Sequence, residues 1–80
     1  MRVLVVEDHA RLAITVATVL RGEGMVVDVV FDWRDALDHV AGTRYDVIVL
    51  DRDIPLIHGD QACRQLVARG CESRILMLTG

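Results

Sequence analysis

Four side chains with oxygen ligands come directly after short apolar runs in this sequence. They are Glu7, Asp8, Asp51 and Thr79. In the run at 47–50, which leads into Asp51, no polar residue alternates with the apolar ones, a pattern typical of a strand buried on both faces. Because ligands of open parallel sheets bind just beyond the carboxyl ends of the strands, we expect these side chains to meet at one sheet edge.

Carboxylates that meet at such an edge repel one another, and two unit charges roughly 4 Å apart cost about 4 kcal/mol at an effective dielectric near 20. The cluster of Glu7, Asp8 and Asp51 therefore either takes up protons or binds a cation. Mg²⁺ suits such oxygens and typically binds one or two carboxylates together with phosphate and water. A carboxylate beside that ion can attack a phosphoryl group and become an aspartyl phosphate. Thr79 would then donate a hydrogen bond to a phosphoryl oxygen.

The spacing of the apolar runs predicts alternating strands and helices. We expect strands at about 2–6, 25–30, 46–50 and 74–78, and helices at about 10–21, 33–41 and 59–69. Strands that alternate with segments of helical periodicity are typical of βα units and a parallel sheet. The gaps between the strands are long enough for the helical crossovers that parallel neighbours require.

Helical periodicity also predicts which side chains face the core. In the first helix these are Leu12, Val16, Val19 and Leu20, with Ala13 and Ala17 beside them. In the third helix they are Ala62, Cys63, Leu66 and Val67. Asp32 is the expected N-cap of the second helix, and glycines follow the helices where they should stop.

Composition excludes several classes of protein. A chain of 80 residues forms one small domain. Its net charge of -3 argues against a nucleic-acid-binding surface in this segment. No apolar run approaches the roughly 18 residues of a membrane span and no signal peptide is recognisable, so we expect a cytoplasmic protein without membrane contact.

Together, these residues resemble the receiver domain of two-component response regulators. The resemblance depends on Leu4-Val5-Val6-Glu7-Asp8, on Val49-Leu50-Asp51 followed by Asp53, Pro55 and Gly59, and on Leu78-Thr79-Gly80. Each motif is weak alone, but their order and spacing along the chain are specific. The resemblance implies a flavodoxin-like α/β fold, with helices on both faces of a parallel sheet in the strand order 2-1-3-4.

The same resemblance implies the roles of the residues. Asp51 would accept a phosphoryl group from a sensor histidine kinase, so that the protein is a phosphoacceptor and not an enzyme, with at most slow self-dephosphorylation. Mg²⁺ would be held by the side chains of Glu7, Asp8 and Asp51 and by the backbone carbonyl of Asp53. Thr79 would sense the phosphate. The local sequence also resembles regulators with a C-terminal winged-helix domain, so the expected output is transcription, with DNA bound only through a domain outside this chain.

A whole receiver continues beyond residue 80 through another helix, a fifth strand and a final helix. We therefore interpret the chain as an incomplete, amino-terminal portion of a receiver domain. The family's phosphate-pairing lysine lies on that fifth strand, and this sequence has no lysine, since nine arginines account for all of its Lys+Arg residues. The apolar strand at 74–78 would then be a sheet edge, and we expect self-association through this edge or by exchange of elements.

Two alternatives stay open at this point. Asp51 and Asp53 also match the DxD motif of haloacid-dehalogenase-like phosphatases, in which the first Asp is the nucleophile and the second a general acid/base. That assignment leaves Glu7 and Asp8 unexplained and puts the motif after the third apolar run instead of the first. The other alternative is a phosphorylation-independent pseudo-receiver. The missing lysine favours it, whereas the presence of Glu7, Asp8, Asp51 and Thr79 argues against it. Asp8 has helix capping as a second candidate role, and we assign His9 and the other histidines to surface or capping positions.

Overall fold

Seven elements of secondary structure alternate along the chain. The structure, a computed structural model, describes residues 1–52 and 57–78. Its strands are β1 (Arg2–Val6), β2 (Val26–Val30), β3 (Val47–Asp51) and β4 (Arg74–Leu78), and its helices are α1 (Ala10–Gly22), α2 (Trp33–Gly42) and α3 (Gly59–Ala68). Each end lies within one residue of the end expected from the sequence.

The four strands form one parallel sheet in the order β2-β1-β3-β4, which confirms the predicted order. Their register is even: Val6 at the end of β1 lies beside Val30 of β2 and Leu50 of β3. Leu50 in turn lies beside Met77 of β4. Because these four residues stand in one row, the residues that follow them are delivered to the same edge of the sheet.

Each face of the sheet has its own hydrophobic core. Helices α2 and α3 cover one face, where the fully buried side chains include Leu4, Ile48, Leu50, Ala62 and Leu66. Helix α1 covers the other face, where its Ala13 and Ala17 form a buried cluster with Val3, Val5 and Val27 of the sheet. In the described part of the chain, none of the helices is both long and apolar enough to cross a membrane.

The two helices on the first face are joined by their side chains. Asp32 is the N-cap of α2, as predicted, and its carboxylate accepts a hydrogen bond from the Asp35 N–H at 2.8 Å. The next residue, Trp33, is buried and donates its indole N–H to Gln65 of α3 at 2.9 Å. At the end of α3, Gly70 takes a φ of 76°, a left-handed conformation that glycine reaches without strain.

The predicted inward faces of two helices are partly wrong. Leu12 and Val19 of α1 are 44% and 62% exposed, and Val67 of α3 is 69% exposed. The buried centre of α1 is instead the pair Ala13 and Ala17. Val16 and Leu20 of the predicted face do pack against this core as partly buried side chains. Small alanine side chains allow the helix to lie close to the sheet, and Leu12 and Val19 are turned outward. Hydropathy alone ranks leucine and valine above alanine and therefore points to the wrong rotation of the helix.

The amino edge of the sheet is held together by polar contacts. The Tyr45 hydroxyl donates to Asp28 on β2 at 2.6 Å, and Ser73 donates to the Tyr45 carbonyl at 2.6 Å. The Arg2 N–H donates to the Asp46 carboxylate at 2.7 Å. These bonds tie the starts of the strands together at the edge opposite to the one where Glu7 and Asp51 emerge.

Candidate functional site

Three of the predicted site residues meet at the carboxyl edge of the sheet. Glu7 and Asp8 follow β1, and Asp51 is the last residue of β3, the neighbouring strand. One carboxylate oxygen from each of the three residues lies within 4.8 Å of the other two. This proximity follows from the register, because the row formed by Val6 and Leu50 places Glu7 and Asp51 side by side.

Glu7 is the buried member of this cluster. Its residue is 4% exposed, and its Oε2 has no hydrogen-bond partner among the described residues. Burial raises the pKa of Glu7 to about 7, and a hydrogen bond to Asp51 and the charges of Asp51 and Asp8 act in the same direction. The backbone N–H of Asp8 donates to Glu7 and opposes the rise. Without a cation, the Glu7 carboxyl therefore holds its proton to a higher pH than an ordinary glutamate does.

Asp51 and Asp8 form the accessible side of the cluster. Asp51 is half-buried and Asp8 is exposed. The backbone at Asp51 is held on its β4 side, since Asp51 lies beside Leu78 of β4 and the Arg52 N–H donates to the Leu78 carbonyl at 3.4 Å. A reactant can thus approach Asp51 from solvent, while the strand beneath it is fixed by the sheet.

The turn between β1 and α1 includes His9, for which the sequence left a surface position and a capping position open. His9 is the N-cap of α1, and its Nδ1 accepts a hydrogen bond from the Leu12 N–H at 3.2 Å. The sequence had offered Asp8 as a candidate cap, but the imidazole of His9 takes that position. The Asp8 carboxylate is therefore directed to the acidic cluster. A histidine one residue before a predicted helix start is the signal that could have identified the cap.

Two other predicted site residues, Asp53 and Thr79, lie outside the described residues. The structure describes their neighbours Arg52 and Leu78, which are joined by a hydrogen bond at the same edge of the sheet. The predicted roles of the Asp53 carbonyl and the Thr79 hydroxyl accordingly stay predictions.

The described side chains fit a hard dication. Three carboxylate groups supply oxygen ligands of the kind that Mg²⁺ prefers. A buried carboxylate oxygen without a hydrogen-bond partner is costly in a folded protein, and a cation offers it a partner. The site is also open on its Asp8 side, which leaves room for the water and phosphate ligands that Mg²⁺ usually retains.

Comparison with known proteins gives matches along nearly the whole chain. The family model described as the response regulator receiver domain matches residues 3–80. The transcriptional regulatory protein CutR of Streptomyces coelicolor is 58% identical over 79 residues, which cover 99% of this chain and 36% of CutR. The transcriptional regulatory protein TcrA of Mycobacterium tuberculosis is 40% identical and covers 99% of this chain and 31% of its own length. The chain thus spans about a third of the length of these relatives.

Solved structures agree with this assignment. The response regulator TrrA of Thermotoga maritima, determined in complex with Mg²⁺-BeF, has a TM-score of 0.90 at 27% identity and covers 98% of this chain and 68% of its own. The receiver domain of a Pseudomonas aeruginosa sensor histidine kinase, with a magnesium ion in its active-site cleft, has a TM-score of 0.88 at 31% identity. That alignment covers 98% of this chain and 66% of the Pseudomonas chain. The chain belongs to the response regulator receiver domain family.

Proposed function

We propose that the chain accepts a phosphoryl group on Asp51, with Mg²⁺ bound by the neighbouring carboxylates. The observation that supports this most directly is the meeting of Glu7, Asp8 and Asp51, with one oxygen of each within 4.8 Å of the others. Asp51 is half-buried and sits on a fixed strand end, as a nucleophile needs to be. Glu7 is buried below it with one oxygen unpaired among the described residues.

The transfer is a displacement at phosphorus. A carboxylate oxygen of Asp51 attacks the phosphorus of a phosphorylated histidine, a P–O bond forms, and the P–N bond to the imidazole breaks. The imidazole nitrogen keeps the electron pair of that bond and takes up a proton from solvent. Water later attacks the phosphorus, the P–O bond to Asp51 breaks, and inorganic phosphate leaves while Asp51 returns to its free carboxylate. We expect this self-dephosphorylation to be slow, so that the chain is a phosphoacceptor and not a turnover enzyme.

The metal ligands in this proposal are Glu7, Asp8 and Asp51, together with the backbone carbonyl of Asp53. Bound Mg²⁺ supplies positive charge that offsets both the carboxylates and the phosphoryl oxygens. Glu7 and Asp8 would hold the ion next to Asp51, since one carboxylate oxygen of each lies within 4.8 Å of the others. Thr79 is proposed to donate its hydroxyl to the phosphoryl oxygen, since it follows Leu78, which lies beside Asp51.

The phosphatase alternative is not favoured. Membership of the receiver family accounts for the whole span of residues 3–80. It also accounts for Glu7 and Asp8, which a DxD nucleophile motif at Asp51 and Asp53 leaves without a role. A pseudo-receiver is disfavoured by the three carboxylates that meet at the site, and the phosphorylation experiment below distinguishes it.

The partners of the whole protein follow from the family and from the names of the relatives. We propose a sensor histidine kinase as the phosphodonor and a cytoplasmic location for the exchange. CutR and TcrA are named transcriptional regulatory proteins, so we propose transcription as the output. Because the chain aligns with 66% of the solved Pseudomonas receiver chain, we propose that it represents part of a receiver, and that DNA is contacted only through a domain outside this chain.

The test is the intact mass of the chain after incubation with Mg²⁺ and a small-molecule acyl phosphate. We expect a gain of one phosphoryl group. The Asp51→Asn variant should show no gain, and the matched Asp38→Asn variant, which changes an exposed carboxylate on α2, should gain the group like the original chain. Release of inorganic phosphate should be slow and limited to the amount bound.

Three results would count against the proposal. A folded chain that gains no phosphoryl group would assign it to the pseudo-receivers. Continued turnover of the acyl phosphate, lost on Asp51→Asn, would favour the phosphatase assignment. An equal gain in Asp51→Asn would place the acceptor at another residue.

We also propose that the 80-residue chain associates with itself through β4. The Arg74 N–H bonds to the Asp46 carbonyl and the Leu78 carbonyl accepts from Arg52, so that alternate residues of β4 face β3. Ile75 and Met77 therefore direct their backbone groups away from β3. Leu76 between them is 58% exposed. An apolar strand edge whose outward backbone groups have no partner strand among residues 1–52 and 57–78 favours pairing with a second copy or exchange of elements.

Light scattering over a range of concentrations tests this association. Leu76→Lys should shift the chain toward monomer, because a lysine on an edge strand opposes pairing. The control is Val67→Lys, which changes an apolar residue of similar exposure on α3 and should leave the association unchanged. A chain that stays monomeric at high concentration before any substitution would refute the association.

A further inference from the structure

Asp8 lies in the turn that joins β1 to α1, and the residues on either side of it, Glu7 and His9, are both held by hydrogen bonds. On one side, the Glu7 N–H donates to the Val30 carbonyl of β2 at 3.1 Å. On the other side, the His9 carbonyl accepts from the Ala13 N–H at 3.0 Å, and its Nδ1 accepts from the Leu12 N–H at 3.2 Å. The direction in which the Asp8 carboxylate leaves the chain is therefore set by these neighbours.

Glu7 is held by a backbone hydrogen bond, whereas His9 is held in part by its own side chain. His9 has extended backbone angles, with φ of -81° and ψ of 100°, and it is the last residue before the helix. Without an acceptor at this position, the first turn of α1 loses a hydrogen bond and its start becomes free to fray. Because Nδ1 accepts, the ring proton is on Nε2, and the imidazole acts as a neutral cap.

The start of α1 is open to electrostatic effects from the acidic cluster. The first turn of α1, all of which the structure describes, contains no acidic residue. Asp8 and Glu7 come one and two residues before the N-cap His9, so their carboxylates precede the positive end of the helix directly in sequence. Glu7 also has a buried oxygen that is unpaired among the described residues and belongs to the same cluster. The candidate ligands Glu7 and Asp8, the cap His9 and the first residue of α1 are thus consecutive in the chain, so a change at the cap is transmitted directly to the ligands.

We infer that His9 is a positioning residue for the metal site: its imidazole fixes the start of α1 and thereby holds Asp8 in the geometry that binds a divalent cation. His9 need not touch the cation. The inference rests on the proposed function, because it takes Asp8 to be a ligand of Mg²⁺. It adds a residue outside the acidic set, identified by the hydrogen bond to Leu12.

The experiment compares His9→Asn with His9→Ala, since asparagine caps helices well and alanine does not, and neither is charged. Mg²⁺ is titrated into each variant and followed by the NMR shifts of the Glu7 and Asp8 amides. We expect His9→Ala to bind Mg²⁺ about fivefold more weakly than His9→Asn, which corresponds to about 1 kcal/mol at about 1.4 kcal/mol per tenfold. His9→Asn should bind like the original chain.

The matched control is the other capped helix. Asp32 caps α2 in the same way but is not in the acidic cluster. The pair Asp32→Asn and Asp32→Ala should therefore differ in melting temperature by about 4–8 °C, like the pair at His9, but not in Mg²⁺ affinity. A purely structural role for His9 would move melting temperature alone. If His9→Ala does not fold, His9→Gly replaces it, because glycine also lacks an acceptor but costs a helix start less.

The outcomes separate the two proposals. Equal Mg²⁺ affinity in His9→Ala and His9→Asn overturns the positioning role while leaving the metal site intact. An equal loss of affinity in the Asp32 pair would also overturn it, because the effect would then be one of general stability. If the original chain binds no Mg²⁺, the proposed metal site fails, and the positioning role fails with it.

Discussion

Replacing Glu7 by glutamine should stabilise the metal-free chain at high pH. Glu7 is buried next to Asp51 and Asp8, and its pKa is raised from 4.5 to about 7. The folded chain therefore holds the Glu7 proton more tightly than the unfolded chain does. Between pH 4.5 and 7 the folded state carries more protons, so the free energy of unfolding falls as pH rises through this window and then levels off.

The size of the effect follows from the pKa difference. A rise from 4.5 to about 7 is a change of about 2.5 pH units, which at about 1.36 kcal/mol per unit amounts to about 3 kcal/mol. Glutamine keeps the shape and a hydrogen-bond donor for Asp51 but carries no charge. The free energy of unfolding of Glu7→Gln should thus equal that of the original chain at pH 4 and exceed it by about 3 kcal/mol at pH 8. For a domain of this size, that is a large share of the total stability.

Urea unfolding at several pH values, with a chelator present, measures this gain. The control is Glu72→Gln, because the Glu72 side chain is 81% exposed and is paired with Arg44 at 3.2 Å, so its removal should change stability by less than about 1 kcal/mol. Added Mg²⁺ should reduce the difference in unfolding free energy between Glu7→Gln and the original chain at pH 8, because the ion binds ionised Glu7 and not glutamine. A gain for Glu7→Gln that does not change with pH, or that shrinks as pH rises, would refute the reasoning.

The remaining predictions concern the amino edge and the core. The single tyrosine, Tyr45, should ionise with a pKa of about 12, because burial and the hydrogen bond to Asp28 favour the neutral phenol. Ultraviolet absorbance of phenolate reports this directly, stability should fall as pH rises from 10 toward 12, and ionisation near 10 in the folded chain would contradict it. Leu66→Ala should cost about 2–5 kcal/mol in urea unfolding, whereas its neighbour Val67→Ala should cost less than about 1 kcal/mol. Equal losses would show that α3 packs with a different face, since Leu66 is 1% and Val67 is 69% exposed.

Much of the candidate site could be read from the sequence because parallel strands bring their carboxyl ends together. Once the runs ending at Val6 and Leu50 are taken as neighbouring strands, Glu7 and Asp51 must lie close to each other, and the structure confirms that they do. The helix cap at Asp32 was also predictable, since its hydrogen bond to Asp35 is local in sequence. The predictions for Asp53 and Thr79 concern residues outside the described part of the chain.

Other features depend on distances that no local pattern contains. The rotation of α1, which buries Ala13 and Ala17 and exposes Leu12 and Val19, depends on how closely the helix can approach the sheet. The cap at His9 is local in sequence, since its hydrogen bond comes from Leu12 three residues on, but the meeting of Asp8 with Asp51 depends on β3 lying beside β1. The rotation of α1 and the meeting of these two acids are thus decided by packing between elements.

The sequence by itself determined the order of strands and helices along the chain and the set of acids expected at one edge, because apolar periodicity and parallel connections leave few alternatives. The order of the strands within the sheet came from the resemblance to receiver domains. Only the tertiary structure decided which of those acids is buried. Glu7 and Asp8 are adjacent and chemically alike, yet one is 4% exposed with its pKa raised to about 7 and the other is exposed. The physical reason is desolvation: the free energy of a charge depends on what surrounds it in space, and that surrounding is assembled from strands distant in sequence.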